Sequence, residues 1–406
     1  MCRPIRWWQA CLQVFAEDYR IMSKPRLIAF YLPQFYPTKE NDEWWEKDFT
    51  EWTNVKRGRP LFKGHYQPRV PADLGYYDLR DPQVRERQVA LAREAGIEGF
   101  CYWHYWFAGR RLLDRVFNEV VASGKPDFPF CLCWANHDWT NKTWQKGTSL
   151  RKDPMIAQMQ YSAEDYRHHF NYVLPAFRDH RYIKVDGKPL FAIWAPRDIP
   201  SARQFIDLWQ QLARENGLPG IHFVGYTQNS SGKSTKNGKM TLWDANQAAE
   251  RYQEVLDLGF DAVMSYGLGR AQTICNGKLR KVLYYLSYNK KFIPPIPMRT
   301  DYAKVMSHYY VDEDRWDNVY PTLMPQWDRT PREGYRSDPL TDSTPEKFQR
   351  SIEEAIALLK DKQPEHQILF LKSWNEWGEG NYVEPDLKFG HGYLKAIRQA
   401  IESSKE

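Results

Sequence analysis

The chain has 406 residues, of which 42% are apolar and 27% are charged, and its 23 glycines and 26 prolines are near average, so disordered, collagen-like and low-complexity classes are excluded. Basic residues exceed acidic ones by only six charges and form no long run, which argues against a nucleic-acid partner. No stretch of about 18 uncharged apolar residues occurs, so we expect no membrane span, whereas aromatic residues are abundant at 15%.

Residues 1–24 are predicted to be an N-terminal extension that precedes one catalytic domain, residues 25–406. The extension begins with basic residues and a short apolar patch, but Gln9, Gln13 and Glu17 interrupt this patch before any small-residue cleavage site. This pattern is not typical of a signal peptide, so we expect a cytoplasmic protein, with export left open. The six cysteines are sparse and are predicted to be free thiols, which fits a reducing compartment.

Eight short apolar runs, each followed by a longer segment with helical periodicity, make up most of the remaining chain. Because the runs are almost continuously apolar, they are typical of parallel strands that are buried on both faces. Eight such units predict an α/β fold with a single (β/α)₈ TIM barrel, and a doubly wound sheet is the alternative. The predicted strands are Arg26–Leu32, Gly99–Trp106, Phe128–Ala135, Leu190–Ala195, His222–Thr227, Ala262–Tyr266, Thr322–Trp327 and Gln367–Trp374.

Predicted helices follow these strands, and two of them have clear start signals. Ser162 precedes the acidic residues Glu164 and Asp165, and Thr344 precedes a proline at the first helical position. The predicted helices are 83–95, 110–123, 163–178, 201–215, 243–257, 278–290, 345–361 and 391–404, with a further short helix around 302–311.

The connections that leave the predicted strands are long, whereas most connections that return from the helices are short and contain glycine, proline or aspartate. In a (β/α)₈ barrel, the loops that follow the strands form the active face. We therefore expect the functional site at the C-terminal strand ends, under the long loops 33–82, 136–161, 228–242 and 328–343.

Aromatic, amide and acidic side chains gather at these predicted strand ends. Flat rings cover the apolar C–H faces of a sugar, and amides and acids bind its hydroxyl groups, so this composition indicates a carbohydrate site. An alternative is that about half of the aromatic residues only plug the mouth of the barrel. The predicted substrate-binding residues are Gln34, His104, Trp106, Trp134, Asn136, Asp138, Trp139, Tyr226, Gln326, Trp327, Trp374, Asn375 and Trp377.

The most informative motif is WNEWGEG at residues 374–380. If the backbone makes one helical turn here, the Cβ atoms of Glu376 and Glu379 lie about 5–6 Å apart, close to the roughly 5–5.5 Å between the carboxyl groups of retaining glycosidases. Like charges this close raise the pKa of one carboxyl group, so one glutamate can act as acid and the other as base. We predict that Glu376 and Glu379 are catalytic; the alternative is a non-catalytic pair bound to arginine or lysine.

Two histidines are candidate metal ligands. His104 and His137 could pair with Asp138 or Glu379, but no HxH, HExxH or CxxC spacing supports such a site. We expect these histidines to bind substrate hydroxyl groups instead. The glycine-rich segment 267–269 lacks a nucleotide-binding pattern. We therefore predict no metal and no cofactor.

Several motifs from residue 26 onward resemble the WbsX-like family, which is related to the endo-α-mannosidases of glycoside hydrolase family ninety-nine. The matching segments are AFYLPQF at 29–35, EWTNV at 51–55, GHYQP at 64–68, GFCYWHYW at 99–106, CLCWAN at 131–136, WNEWGEG at 374–380 and EP at 384–385. WbsX-like proteins are usually described as glycosyltransferases of polysaccharide biosynthesis. The resemblance adds Tyr31, Trp52, Tyr102 and Glu384 to the expected substrate-binding residues.

The mannosidase relatives imply a retaining mechanism that needs no protein nucleophile. In this scheme Glu376 matches the residue that deprotonates the sugar 2-hydroxyl, which attacks its own anomeric carbon to give a 1,2-anhydro sugar. Glu379 matches the acid that protonates the leaving oxygen and later activates water. One departure is Gly378, where the mannosidases commonly have histidine.

Three functions follow from the motif and the resemblance together. The leading hypothesis is a retaining glycoside hydrolase, similar to the endo-α-mannosidases, that cleaves an α-glycosidic bond in an oligosaccharide or polysaccharide. The second is a glycosyltransferase that builds surface polysaccharide such as O-antigen, capsule or lipopolysaccharide, although no DxD motif or nucleotide-binding pattern supports a donor site. The third is a non-catalytic carbohydrate-binding barrel, which the presence of both glutamates argues against.

Overall fold

Eight parallel strands close into a barrel, which confirms the predicted (β/α)₈ fold. The computed structural model describes residues 24–140, 155–157, 161–227, 248–277 and 299–404. Each strand pairs with its neighbours along the chain, and the first strand closes the ring by pairing with the eighth. The strands are β1 (Arg26–Tyr31), β2 (Gly99–Phe107), β3 (Phe130–Trp134), β4 (Lys188–Ile193), β5 (His222–Tyr226), β6 (Ala262–Ser265), β7 (Val319–Leu323) and β8 (Ile368–Leu371).

Helices occupy the connections between the strands. The predicted start signals are confirmed, because the side chain of Ser162 accepts a hydrogen bond from the backbone of Asp165, and that of Thr344 accepts one from Lys347. Residues 268–277 are also helical. The other helices are α1 (Lys39–Trp44), α2 (Glu51–Arg57), α3 (Pro82–Ala95), α4 (Arg115–Ser123), α5 (Ala163–Phe177), α6 (Ala202–Glu215), α7 (Ala248–Asp257), α8 (Tyr302–Met306), α9 (Thr330–Glu333), α10 (Pro345–Ala357) and α11 (Gly392–Ser403).

Several predicted element boundaries were wrong by three residues or more, and the clearest cases are the seventh strand and the second helix. The seventh strand begins three residues earlier than predicted, because Val319 already pairs with Val263 of β6. The residues after Leu323 belong to the following loop. The helix predicted over 110–123 begins only at Arg115. Its first residues instead form a short strand, Arg110–Leu112, that pairs antiparallel with the end of β2.

Other sequence predictions fall partly outside the described residues. Residues 1–23 of the predicted N-terminal extension, residues 243–247 and the predicted helix 278–290 are among these. Cys101, Cys131 and Cys133 are buried free thiols. Within the described ranges, no helix combines the length and the apolar character that crossing a membrane requires.

The side chains of β2 alternate between the barrel interior and the surrounding helix layer, although all nine residues of the strand are buried. Trp103 points inward, where its ring lies 4.7 Å from Phe30 and 5.1 Å from Trp194. Tyr102 points outward and contacts Phe117 of α4 at 5.8 Å. Because both faces are buried, the sequence of β2 carries no alternation of apolar and polar residues that would reveal which side chains face the interior.

Candidate active site

The turn that follows β8 brings the two predicted catalytic glutamates to one side. Residues Asn375–Glu376 pair antiparallel with Asn381–Tyr382, and the residues between them form a single 3₁₀ turn, Trp377–Glu379. Side chains three residues apart lie above one another on such a turn. The sequence predicts that Glu376 and Glu379 lie close together if the backbone makes one helical turn. The structure has such a turn at the C-terminal end of the barrel.

One guanidinium group bridges these two carboxyl groups. Arg332, on α9, donates from Nη1 to Oε1 of Glu379 at 2.7 Å and from Nη2 to Oε1 of Glu376 at 3.2 Å. The side chains are 7%, 13% and 9% exposed respectively, so the bridge is shielded but still open at the barrel mouth. Charge-assisted hydrogen bonds of this kind are stronger than neutral ones.

A third carboxyl group lies beneath the bridge. Glu51, at the start of α2, is fully buried, and its Oε1 atom is 2.9 Å from Nη2 and 3.1 Å from Nε of Arg332. Its second oxygen, Oε2, is buried without a hydrogen-bond partner. A buried charge is stable only when it is paired, so Glu51 and Arg332 depend on each other.

Two further cations act on the glutamates. Arg329, also near α9, lies 3.3 Å from Oε1 of Glu379 and 2.8 Å from Glu333. Lys372 follows β8, and its ammonium lies inside the barrel, 4.2 Å from the ring centre of Trp194 and 5.2 Å from that of Tyr226. Burial lowers the pKa of Lys372, and Glu379 and Glu376 oppose this shift.

These charges separate the pKa values of the two glutamates. Burial and then the charge of Glu379 raise the pKa of Glu376. Burial also raises the pKa of Glu379, but Arg332, Arg329 and Lys372 together outweigh it, so that its pKa is lowered. Burial raises the pKa of Glu51 to about 7, although Arg332 opposes the shift. The pKa of Glu376 is therefore the higher of the two.

Hydrogen bonds hold the turn in place from two directions. The side chain of Asn375 accepts from the backbone N–H of Leu32 at 2.8 Å and donates to its carbonyl at 3.1 Å, which ties the end of β8 to the end of β1. The backbone N–H of Asp328 donates to the carbonyl of Glu379 at 2.6 Å. The carboxylate of Asp328 is itself held by His65 and Gln67 at 2.8 and 2.7 Å.

Five of the predicted substrate-binding residues face the helix layer instead of the barrel mouth. Their side chains point outward from the barrel, and the polar atoms of four of them bond to protein groups. For example, Nε2 of His104 lies 2.8 Å from Nε2 of His169, and Trp106 donates to Asp165 at 3.0 Å. The structure thus does not bring to the mouth Tyr31, Tyr102, His104, Trp106 and Trp134.

Another group of predicted residues packs among the loops and turns of the active face. Trp377 stacks on Tyr382 at 3.6 Å and donates to Glu384 at 2.6 Å, and Trp52 packs on Trp377 at 5.4 Å. Burial raises the pKa of Glu384 to about 7. All members of this group are buried in the substrate-free chain: Trp52, Asn136, Gln326, Trp327, Trp374, Asn375, Trp377 and Glu384.

The remaining predicted residues lie inside the barrel or on its rim. Tyr226 stacks on Trp194 at 4.1 Å, and its hydroxyl group is buried without a hydrogen-bond partner. Trp139 is half-buried and contacts Tyr105 at 4.9 Å, and Asp138 is exposed. The carbonyl of Gln34 accepts from the backbone of Glu51 at 3.1 Å.

Sequence reasoning missed several residues of the site. The most important are Arg332 and Glu51, which lie 281 positions apart and meet only in the fold. The inward residues of β2 could have been found by counting alternate positions from any one residue known to face the interior. In the described part of the chain, no group of three or more histidine, cysteine, aspartate or glutamate side chains is arranged to hold a metal ion. The missed residues are Glu51, Arg329, Arg332 and Lys372.

Known proteins are similar to this chain in sequence. The family model described as Glycosyltransferase WbsX matches residues 27–397. Two curated relatives named Uncharacterized protein WxcX, from Xanthomonas campestris pv. campestris strains ATCC 33913 and B100, are each 33% identical over 94% and 92% of this chain. The chain spans about half the length of these relatives, 51% and 49%.

Solved structures share the fold. A glycoside hydrolase-like protein matches 94% of this chain and 95% of its own length, with a TM-score of 0.58 and 14% identity. The GH99 endo-α-mannosidase from Bacteroides thetaiotaomicron matches 93% of this chain and 97% of its own length, with a TM-score of 0.55 and 14% identity. At this level of identity, the similarity establishes the (β/α)₈ architecture.

Proposed function

The chain belongs to the WbsX family, and we propose that it is a retaining glycan-active enzyme that cleaves an α-glycosidic bond with Glu376 and Glu379. Its substrate is an oligosaccharide or polysaccharide, and its activity is that of a glycoside hydrolase similar to the endo-α-mannosidases. The observation that carries this proposal is the pair of carboxyl groups on one 3₁₀ turn at the C-terminal end of the barrel. Both are bonded to Arg332, as the non-catalytic alternative also predicts, and the turnover of the glutamate variants separates the two interpretations.

The geometry supports a retaining reaction because the two carboxyl groups are neighbours on one guanidinium. Inverting enzymes need roughly 6.5–9.5 Å between their carboxyl groups to accommodate a water molecule, whereas retaining enzymes need about 5–5.5 Å. The pKa values of the pair are also shifted in opposite directions, which favours different roles for the two carboxyl groups in acid–base catalysis.

The proposed reaction proceeds in two steps through a 1,2-anhydro sugar. In the first, Glu376 takes the proton of the 2-hydroxyl, the 2-oxygen bonds to the anomeric carbon, and the glycosidic bond breaks as Glu379 protonates the leaving oxygen. In the second, Glu379 takes a proton from water, the water oxygen bonds to the anomeric carbon as the bond from this carbon to the 2-oxygen breaks, and Glu376 returns its proton to the 2-oxygen. Two inversions give overall retention.

The charge state of the substrate-free pair adds a condition to this scheme. The acid must carry the proton, yet Arg332 and Arg329 favour an ionised Glu379. A sugar oxygen that replaces one of these cations at Glu379 raises its pKa and so favours the protonated acid. The first step therefore follows substrate binding and the local loss of a guanidinium contact.

Transfer to a sugar instead of water is the second candidate function. The description of the family model names a glycosyltransferase, and a hydroxyl group of an acceptor sugar can replace water in the second step. The same pair of glutamates then builds a new α-glycosidic bond with retained configuration. The two functions differ in the acceptor and not in the catalytic residues.

A substrate screen tests both functions. The wild-type chain and the Glu376→Gln and Glu379→Gln variants are incubated with α-linked mannosyl, glucosyl and rhamnosyl oligosaccharides, with and without an acceptor sugar. We expect turnover by the wild type, loss in both variants and retained binding measured by calorimetry. Unchanged turnover in either variant removes that glutamate from the mechanism. Binding by all three proteins without turnover indicates a non-catalytic carbohydrate-binding barrel.

A further inference from the structure

Arg332 occupies an unusual position among the charges of the site. Its guanidinium contacts Glu51 on α2 and both glutamates of the turn, at distances between 2.7 and 3.2 Å. Three chain segments that are remote in sequence thus meet at one planar group. A guanidinium can hold several carboxylates at fixed directions because its donors form a rigid fork.

Gly378 makes room for this arrangement. A Cβ atom at this position would overlap the carboxylate of Glu51 and would lie 2.9 Å from Nε of Arg332. Gly378 lies between Glu376 and Glu379 in the turn. The space that its side chain would fill is occupied by Glu51 and Arg332. The absence of a side chain there lets Glu51 and Arg332 approach the turn from below.

We propose that Arg332 is a positioning residue: seated on Glu51 in the space left by Gly378, it holds both glutamates in register and sets the pH range over which the pair carries one proton. This role rests on the proposed function, because the pair is assigned there as the catalytic acid and base. It assigns two residues from outside the motif, Arg332 and Glu51, to the same reaction.

The surrounding charges fix the direction of the expected effects. Besides Arg332 and Glu51, the pair faces Arg329 with its partner Glu333, Lys372 inside the barrel, and Tyr105 of β2, whose pKa is raised by burial and then by Glu376. Removal of a cation raises the pKa values of the pair, whereas removal of an anion lowers them. Changes at Arg332 and at Glu51 therefore act in opposite directions.

The pH dependence of kcat/KM on the substrate found by the screen tests the proposal. We expect Arg332→Gln to lower kcat about 100-fold and to move both limbs of the profile to higher pH, by about 1–3 pH units. Arg332→Lys restores the limbs in part, because lysine keeps the charge but not the fork. Glu51→Gln moves the basic limb to lower pH, because Glu51 is ionised only above about pH 7. Lower kcat in Arg332→Gln with unmoved limbs overturns the proposal.

A substrate-free measurement separates this proposal from the proposed function. Without Arg332, the three buried carboxyl groups bind protons more tightly in the fold than in the unfolded chain, so stability falls as the pH rises. We expect the Tm deficit of Arg332→Gln relative to wild type to be larger at pH 8.5 than at pH 5.5. A deficit that is equal at both values overturns the positioning role, even if no oligosaccharide is turned over. Failure of the screen alone overturns only the function.

A double-mutant cycle tests the role of Gly378. Gly378→Ala is expected to lower kcat at least 10-fold, because its methyl group displaces Glu51 and Arg332. In Glu51→Ala the carboxylate is absent, so adding Gly378→Ala is expected to have little further effect. If the two substitutions have fully additive effects on kcat, Gly378 does not act through Glu51 and this part of the proposal fails.

Discussion

The turn after β8 and the ends of β2 and β3 both place aromatic and ionisable side chains at the C-terminal end of the barrel. In the turn, the carboxyl groups of Glu376 and Glu379 meet cations at a partly open mouth. At the end of β2, the side chains of His104 and Trp106 instead face the helix layer and bond to other protein groups. The comparison teaches that the face of the strand, and not the type of residue, decides which side chains can reach a substrate.

The outward side chains at the ends of β2 and β3, called the packed region below, cluster around His169 of α5. Trp106 stacks on this imidazole at 4.7 Å, and Trp134 meets it edge-on at 4.8 Å. His104, Trp106 and Trp134 bond to protein groups through ring nitrogens, and Nδ1 of His169 is buried without a hydrogen-bond partner. We therefore expect substitutions in this cluster to change stability, whereas substitutions in the turn change activity.

The largest expected effect concerns the separate roles of the two glutamates. Glu379→Gln is expected to lower turnover of a glycan about 10³-fold, because the leaving oxygen loses its acid. With an α-glycosyl fluoride and azide, which need neither acid nor base, much of this loss is recovered and a retained glycosyl azide forms. Glu376→Gln is expected to be inactive on both substrates.

Product analysis by NMR and rates by fluoride release check this prediction. Glu353→Gln on the exposed face of α10 is the matched control and keeps wild-type rates. Azide rescue of Glu376→Gln instead of Glu379→Gln would exchange the two roles.

The second-largest expected effect concerns the cluster of buried rings around His169. Trp134 is fully buried, so Trp134→Ala is expected to lower the free energy of unfolding by about 3–5 kcal/mol. The fraction that remains folded keeps wild-type KM, because the ring does not reach the mouth. Urea unfolding measures the loss, and Trp316→Ala, at a 36% exposed position, changes it by less than about 1 kcal/mol. A raised KM in folded Trp134→Ala would contradict the outward assignment.

Two features of this comparison could be predicted from sequence and two could not. The eight strands and the turn were predicted, because buried parallel strands are continuously apolar and because the spacing of Glu376 and Glu379 is local. The prediction that Tyr102, His104 and Trp106 of β2 face the substrate was wrong. All residues of this strand are buried, so no alternation of polar and apolar residues marks the side that faces the interior. The contact of Arg332 with Glu51 spans 281 positions, so nothing in the local sequence indicates it.

A smaller effect follows from the buried imidazoles. Burial and then Arg111 lower the pKa of His104 to about 3. The unfolded chain binds this proton below about pH 6.5 and the folded chain does not, so stability is complete above pH 6.5 and falls as the pH drops towards 3. Between pH 7 and pH 5, His104 alone lowers the free energy of unfolding by about 2 kcal/mol.

Urea unfolding of wild type and His104→Gln at the two pH values measures this contribution. The variant is expected to lose about 2 kcal/mol less than wild type. An equal loss in both proteins would show that His104 is protonated in the fold, which the packed environment opposes.

The smallest expected effect concerns the rim. Trp139 is half-buried against Tyr105, and we expect Trp139→Ala to raise KM up to about 10-fold with kcat nearly unchanged, because a flat ring contributes about 0.5–1.5 kcal/mol beyond its burial. Initial rates over a range of oligosaccharide concentrations check this. His104→Gln, assayed at pH 7, is the control from the packed region and keeps wild-type KM. Unchanged KM in Trp139→Ala would place the substrate elsewhere on the rim.

The amide of Asn375 ties the last strand to the first, so the acid pair is assembled at the seam where the two ends of the barrel meet. A nascent chain that has emerged only as far as β7 carries neither acid and has no seam. Under the proposed function, turnover begins only after ring closure, and it can serve as a direct reporter of completed folding during synthesis or refolding. Under the same proposal, fragments split in any loop before β8 are expected to become active only when they reassociate around that junction.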